Sequence, residues 1–575
     1  MRPIETIAAR AGFPAASVIP HGNDKAKIAI DPLERPADRP RGRYILVTGM
    51  TPTQFGEGKT TTSIGLAMAL CRLGRNAIAT LRQPSMGPVF GIKGGGTGGG
   101  RAHLVPEAEI NLHLTGDFHA IAAANNLLAA HIDTTILLKN PHAIDPTSVT
   151  WRRVVDINDR ALRCVVTGLG GRRNGVPRET GFDIVPASEV MAILGLSQGW
   201  QDLRSRLGRI MIGHTRDGDP VTAETLRCAG AMAAILRDAL CPNLVATCEG
   251  TPALVHTGPF ADIAHGASSI VADMLALRYA DYVVTEAGFG ADMGAEKFFN
   301  LKCRLSGLTP DAAVLVATVR ATKTHGARDL GARDLGARDP ASRDQGVRDE
   351  RASLKMPLAG RDPQLEEVNP ELVAVGCENL RAQIEIVRRH GVPVVVAINR
   401  MPGDAESEHA VIRERALAAG AVHVEVSECF EKGSAGGVAL AEAVEVAAQM
   451  GTDFRHLYPL EQPLDVKIET IAREIYGAAR TIYAPGVRRE LERFAAQGFG
   501  ALPICIAKTP LSLSDDPTKK NRPRGFDFLV SEARVYAGAG YVCPLAGTRS
   551  TMPGLPAEPR LVSIDLNEKG EVVGL

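Results

Sequence analysis

The segment Tyr44-Ile-Leu-Val-Thr-Gly-Met-Thr-Pro-Thr-Gln-Phe-Gly-Glu-Gly-Lys-Thr-Thr-Thr-Ser63 has the residue types of a phosphate cradle. Gly56 and Gly58 let backbone N–H groups turn toward an anion with no Cβ in the way. A helix opening at Lys59 points the positive end of its dipole at the same spot. In this reading Lys59 reaches the terminal phosphates of a nucleoside triphosphate and the Thr60 hydroxyl takes Mg²⁺. Thr53, Glu57 and Thr61 complete the candidate nucleotide contacts. The pattern G-x-x-x-x-G-K-[ST] has one departure, Thr53 at the first glycine position.

Three further segments carry residues suited to chemistry. Six glycines fall within Gly94–Gly100, close to Arg82, Lys93 and Asp117. Such a run is not a packed element, and those charged neighbours favour a ligand loop over a linker. Glu286 ends an apolar run and opens Glu286-Ala-Gly-Phe-Gly-Ala-Asp292. Its carboxylate suits Mg²⁺ or its water, and equally the cap of the next helix. His256 and His265 are nine residues apart, which is not a metal-ligand spacing on one helix, so a structural or substrate-orienting role is expected.

The elements that position these residues alternate. Apolar, β-branched runs at 44–48, 134–138, 282–285, 313–317 and 392–398 read as strands. Helical patterns at 61–73, 187–194 and 377–390 lie among them, which predicts βαβ units and a mostly parallel, doubly wound sheet. Ligands of such sheets gather at the carboxyl ends of the strands, where these motifs lie. From Gly326 to Glu350 the chain repeats Gly-Ala-Arg-Asp-Leu in degenerate form. A period of five matches neither helix nor strand, and a solvated flexible insertion is expected.

With 575 residues, several domains are expected. Lys+Arg and Asp+Glu balance at 65 each, which gives no electrostatic reason to expect a nucleic-acid or acidic-membrane partner. The ten cysteines include no C-x-x-C pair and read as reduced thiols. Glu5 and the lack of an apolar leader argue against a signal peptide, and no run reads as spanning a bilayer, so a cytoplasmic protein is expected.

Motif blocks along almost the whole chain resemble the formate–tetrahydrofolate ligase family. Among them are Gly56-Glu-Gly-Lys-Thr-Thr-Thr62, Pro84-Ser-Met-Gly-Pro88, Asn111-Leu-His-Leu-Thr-Gly-Asp117, Glu249-Gly-Thr-Pro-Ala-Leu-Val-His256, Glu286-Ala-Gly-Phe-Gly-Ala-Asp292, Ser512-Leu-Ser-Asp-Asp-Pro517 and Met552-Pro-Gly-Leu-Pro556. The resemblance implies ATP-dependent activation of formate to formyl phosphate and formyl transfer to N10 of tetrahydrofolate, with release of ADP and phosphate. It implies Lys59, Arg82 and Asp117 as catalytic residues. Lys59 serves the γ-phosphoryl group, Arg82 formate and formyl phosphate, and Asp117 the pterin N–H groups. Family members stack the pterin between a phenylalanine and a tryptophan; the resemblance puts Met401 and Phe430 at those positions, an apolar slot with less aromatic stacking. Thr60 and Glu286 are the Mg²⁺ candidates, and a monovalent cation is a further candidate cofactor. The family's usual Arg-Glu-Pro-Ser is Arg82-Gln-Pro-Ser85 here. The architecture implied is α/β, with a P-loop NTPase-like doubly wound sheet over residues 1–363, interrupted by 326–350. Two smaller α/β domains follow over 364–465 and 466–575, and a homotetramer is expected.

Overall fold

The computed structural model describes residues 3–30, 40–53, 56–92, 94–261, 263–334, 363–547 and 550–575. Its centre is a twelve-stranded sheet. The strands that matter for the site are β1 (Arg43–Gly49), β2 (Ala77–Leu81), β3 (Asn243–Thr247), β4 (Pro252–Val255), β5 (Tyr282–Glu286), β6 (Ala312–Ala317), β7 (Val394–Asn399) and β8 (His423–Ser427). Their spatial order is β3-β4-β2-β5-β1-β6-β7-β8, and every neighbouring pair from β4 onward is parallel. Only β3 joins β4 in the antiparallel sense within this group.

The burial of these strands on both faces explains their near-continuous apolar composition. Successive side chains alternate between two cores. Leu46, Ile78, Val283, Leu315 and Val396 enter one. Ile45, Val47, Ala79, Val284, Val314 and Val395 enter the other. Helices cover both faces. Lys59–Arg72 (α1) and Val438–Gln449 supply Ile64, Leu66, Leu440 and Val444 to the second core, while Pro370–Arg389 supplies Val373, Leu380 and Ile384 to the first.

Three expectations change. The run 134–138 is not a strand: it is the last turn of a helix, Asp117–Leu138. Phe118, Ile121, Leu128, Ile132 and Ile136 are buried at the three- and four-residue spacing of a helical face, so the period of the longer segment overrides the short β-branched run. The same helix is long and apolar enough to cross a membrane. That feature escaped the sequence reading. Its buried stripe lies in the protein core, and Asp133 pairs with Arg153 and Arg178.

Segment 364–465 does not close a sheet of its own. β7 hydrogen-bonds along β6 in parallel register, from Ala313 opposite Val394 to Ala317 opposite Ile398, and β8 continues outward. A separate three-stranded sheet, Arg480–Tyr483, Asp527–Tyr536 and Tyr541–Ala546, forms within 466–575.

The Arg-Asp repeat starts inside a helix, Val319–Asp334, which packs on Pro370–Arg389. A Cβ on Gly326 would lie 2.3 Å from the Leu372 carbonyl oxygen, and one on Gly376 would lie 1.7 Å from that of Thr322. The first residues of the repeat therefore belong to a close helix crossing. Residues 335–350 of the repeat lie outside the described residues.

Candidate active site

A cavity of about 800 Å³ opens at the carboxyl ends of β1, β2 and β5. The turn after β1 places Thr53, Gly56, Glu57, Gly58, Lys59, Thr60 and Thr61 on its wall. Gly56 and Gly58 both have φ of +73°, in the left-handed region that only glycine adopts freely. Gly58 is also a contact glycine, since a Cβ there would lie 2.3 Å from Asn399 Nδ2. That amide donates to the Glu57 carbonyl oxygen at 3.1 Å and ties the turn to the end of β7. Inside the turn Glu57 Oε1 accepts from Thr53 N at 2.7 Å and Thr53 Oγ1 at 2.9 Å.

Helix α1 begins at Lys59, so the N–H groups of its first turn face the cavity end of the sheet. The stem of Lys59 lies near Gly49, and its ammonium has no partner among the described residues. Thr60 Oγ1 donates to Glu286 Oε2 at 2.7 Å, and Glu286 Oε1 lies 3.6 Å from an Arg82 nitrogen. Arg82 also donates to the Pro259 carbonyl oxygen at 3.1 Å, which aims its guanidinium across the cavity. Glu286 does not cap the helical turn at Ala291–Ala295, whose start has no side-chain cap. The tertiary structure thus brings Lys59, Thr60, Arg82 and Glu286, from three strand ends, onto one wall.

Gly94, Gly95, Gly96 and Gly98 line the same cavity, and Gly96 N donates to Asn111 Oδ1 at 2.7 Å. Lys93 lies outside the described residues. The Phe430 ring lies against Gly99 and Gly100; a Cβ on Gly100 would be 2.2 Å from the Phe430 carbonyl oxygen. Phe430 is 47% exposed, although Gly98 and Thr61 beside it are cavity residues. Met401 sits two residues past the end of β7, and its N–H donates to Asp404 Oδ2 at 3.0 Å.

Asp117 is placed apart. Its Oδ1 pairs with Lys27 Nζ at 2.7 Å, its Oδ2 accepts from Asn243 Nδ2 at 2.7 Å, and it does not line the cavity. Both oxygens serve protein partners. His256 is structural: Nδ1 meets Ser269 Oγ at 2.6 Å and Nε2 meets the Ala239 carbonyl oxygen at 2.7 Å.

Other residues in the cavity wall or behind it have no role assigned from the sequence. Asp156 accepts from Ser85 Oγ at 2.6 Å and from Met86 N at 3.1 Å, and burial pushes its carboxyl up to about 6 against these two hydrogen bonds. No spacing rule links it to a serine so far away in the chain. Pro510 and Leu511 reach the cavity from the C-terminal part. Gln83 is buried in the wall with neither amide atom partnered among the described residues.

The formate–tetrahydrofolate ligase family profile matches residues 1–575. The chain belongs to that family. It is 54% identical to the formate–tetrahydrofolate ligase of Roseiflexus sp. (strain RS-1), over 100% of this chain and 98% of the relative. It is 52% identical to that of Saccharopolyspora erythraea, over 100% and 97%, and 51% identical to that of Chloroflexus aggregans, over 100% and 98%. This chain is therefore a ligase, and the cavity at the strand ends is its candidate active site.

Proposed function

We propose that this formate–tetrahydrofolate ligase uses ATP to convert formate to formyl phosphate and then transfers the formyl group to N10 of tetrahydrofolate. In the first step a formate oxygen attacks the γ-phosphorus and ADP leaves. In the second, N10 attacks the formyl carbon, the C–O bond to phosphate breaks, and N10 loses its proton. The observation that carries this reading is the Lys59 ammonium, without a partner among the described residues, beside glycines at positive φ and a helix start. Phosphoryl transfer depends chiefly on positioning and charge neutralisation, which such a cradle supplies. Arg82 presents a planar fork toward the small carboxylate and the acyl phosphate.

The Thr60 hydroxyl and Glu286 carboxylate are hard oxygen donors in contact, a pair that fits Mg²⁺, which takes few protein ligands and completes its shell with phosphate and water. Bound there, the ion would neutralise phosphate charge. For the folate, Phe430 and Met401 supply an apolar slot beside the glycine turn. Asp117 is committed to Lys27 and Asn243, so in this reading it supports the fold beside β3 rather than the pterin itself. The family resemblance supports a cytoplasmic homotetramer, which light scattering tests.

A coupled ADP-release assay with formate and tetrahydrofolate omitted in turn tests the whole reading. Full ADP release without formate would overturn it. Phe430→Ala tests the slot: the tetrahydrofolate KM rises several-fold, in line with about 1 kcal/mol of lost stacking, while those for ATP and formate stay within error. Equal effects on all three substrates would remove Phe430 from the slot.

A further inference from the structure

A second cavity, of about 570 Å³, lies between the segment carrying Trp151 and Glu189 and the strand Asp527–Tyr536. It shares no lining residue with the reaction cavity, and the chemistry above does not use it. Trp151, Met211, Val487, Phe494 and Val535 give it apolar walls. Its cations are all matched by anions. Arg152 pairs with Asp183 at 2.9 Å, Arg534 with Glu532 at 2.6 Å, and Arg493 with Glu490.

Glu189 is the exception. It is 5% exposed and has no cation within ion-pair distance among the described residues. Its Oε1 accepts from Gly538 N at 2.8 Å and Ala539 N at 3.2 Å, so both acceptor directions of that oxygen are used. Oε2 has no protein partner among the described residues and is the acceptor left for the cavity that Glu189 lines. Burial pushes the carboxyl up to about 8 despite the two backbone bonds. The other titratable groups on the wall do not offset it. Burial holds His214 below its ordinary value, as a neutral ring, and keeps Tyr536 a phenol.

We propose that this cavity binds an organic ammonium with an apolar body, an aryl- or alkylamine cation whose N–H donates to Glu189 Oε2. An ionised carboxyl buried there would lack a counter-ion, and a cationic ligand supplies one as Glu189 gives up its proton. The apolar walls then bury the ligand's hydrocarbon part, the usual division of labour in small-molecule sites.

Calorimetric titration of the full chain with 2-phenylethylammonium near pH 7 tests this. Saturable binding at one site is expected, with release of close to about one proton as Glu189 ionises, read from the heats in buffers of different ionisation enthalpy. Glu189→Gln weakens binding at least about tenfold and removes the proton release, while ADP release with formate and tetrahydrofolate stays unchanged. No saturable heat up to about 10 mM in the folded protein overturns the site, as does equal binding by the variant. Should Glu189→Gln fail to fold, crystals of the unsubstituted protein soaked with 2-(4-bromophenyl)ethylammonium decide. A bromine peak in this cavity, with the nitrogen on Glu189, supports the site, and bromine only elsewhere or absent overturns it.

Discussion

Lys59 and His256 show how differently two charged-type side chains serve one fold. The Lys59 stem lies along the end of β1, but its ammonium makes no protein contact among the described residues. Lys59→Ala should therefore leave the melting curve nearly unchanged and lower turnover by at least about two orders of magnitude, the scale of losing one transition-state donor. Turnover within a few-fold of the unsubstituted enzyme would remove the phosphate-cradle assignment. His256 is the reverse case, fully buried and doubly hydrogen-bonded. Burial, the largest cause, lowers it from 6.5 to about 4. Between those values the unfolded chain binds more protons than the folded one. The stabilisation is thus complete above the unfolded value and is lost as pH falls through the folded one, about 3 kcal/mol in all. His256→Gln lacks this dependence. Its deficit in melting temperature should shrink between pH 7 and pH 4, and a constant deficit would mean that folding does not shift the His256 ring from its ordinary value. Asp156, raised from 3.8 to about 6 by burial, contributes an opposite slope over nearly the same range, so comparison of the two proteins isolates the histidine.

Among the elements, the crossing of Val319–Asp334 with Pro370–Arg389 depends on two glycines, Gly326 and Gly376. Neither is needed for positive φ; each is needed for close approach. Gly376→Ala would put a methyl group into the Thr322 carbonyl, and the helices must separate to admit it. A loss of about 1–3 kcal/mol or more is expected, seen as a lower melting temperature. An unchanged melting temperature would show that the crossing relaxes freely. No local sequence pattern carries this contact, because the two glycines lie 50 residues apart on helices that meet only in the folded chain. The helix Asp117–Leu138 failed for a related reason. Five β-branched and leucine residues suggested a strand, and only the longer face from Phe118 to Ile136 decides for a helix.

At the scale of the molecule, a buried ion pair joins the C-terminal part to the loop after β5. Lys508 Nζ meets Asp292 Oδ2 at 2.7 Å and also donates to the carbonyls of Thr509 and Ser512. Asp292 Oδ1 in turn accepts from Gln383 Nε2, which reaches Thr51 Oγ1 in the turn after β1. The pair seats Pro510 and Leu511 on the reaction cavity. Lys508→Met leaves a buried carboxylate without its counter-ion, at a cost of about 3–5 kcal/mol, and should also raise a substrate KM through the displaced wall. Adding Asp292→Asn should recover much of the stability, because the double variant buries no lone charge. If the double variant is no more stable than Lys508→Met alone, the pair is not the link.

The sequence by itself determined the chemistry-bearing turn, the parallel strands at 44–48, 282–285 and 313–317, and the family. Each of these is encoded by contiguous residues: a glycine and lysine spacing, a β-branched run, an ordered set of short blocks. Tertiary structure alone decided which side chains meet. Glu286 joins Thr60 and Arg82 because β5 lies between β1 and β2 in the sheet, an order that no local signal carries. Asp117 points into a buried pair with Lys27 and Asn243 because its helix starts beside β3. Strands at 394–399 and 423–427 extend the main sheet because an exposed β6 edge, buried on both faces, is satisfied by the next parallel strand. Long-range pairing is a property of the whole chain's packing, and its energy does not appear in any short window of residues.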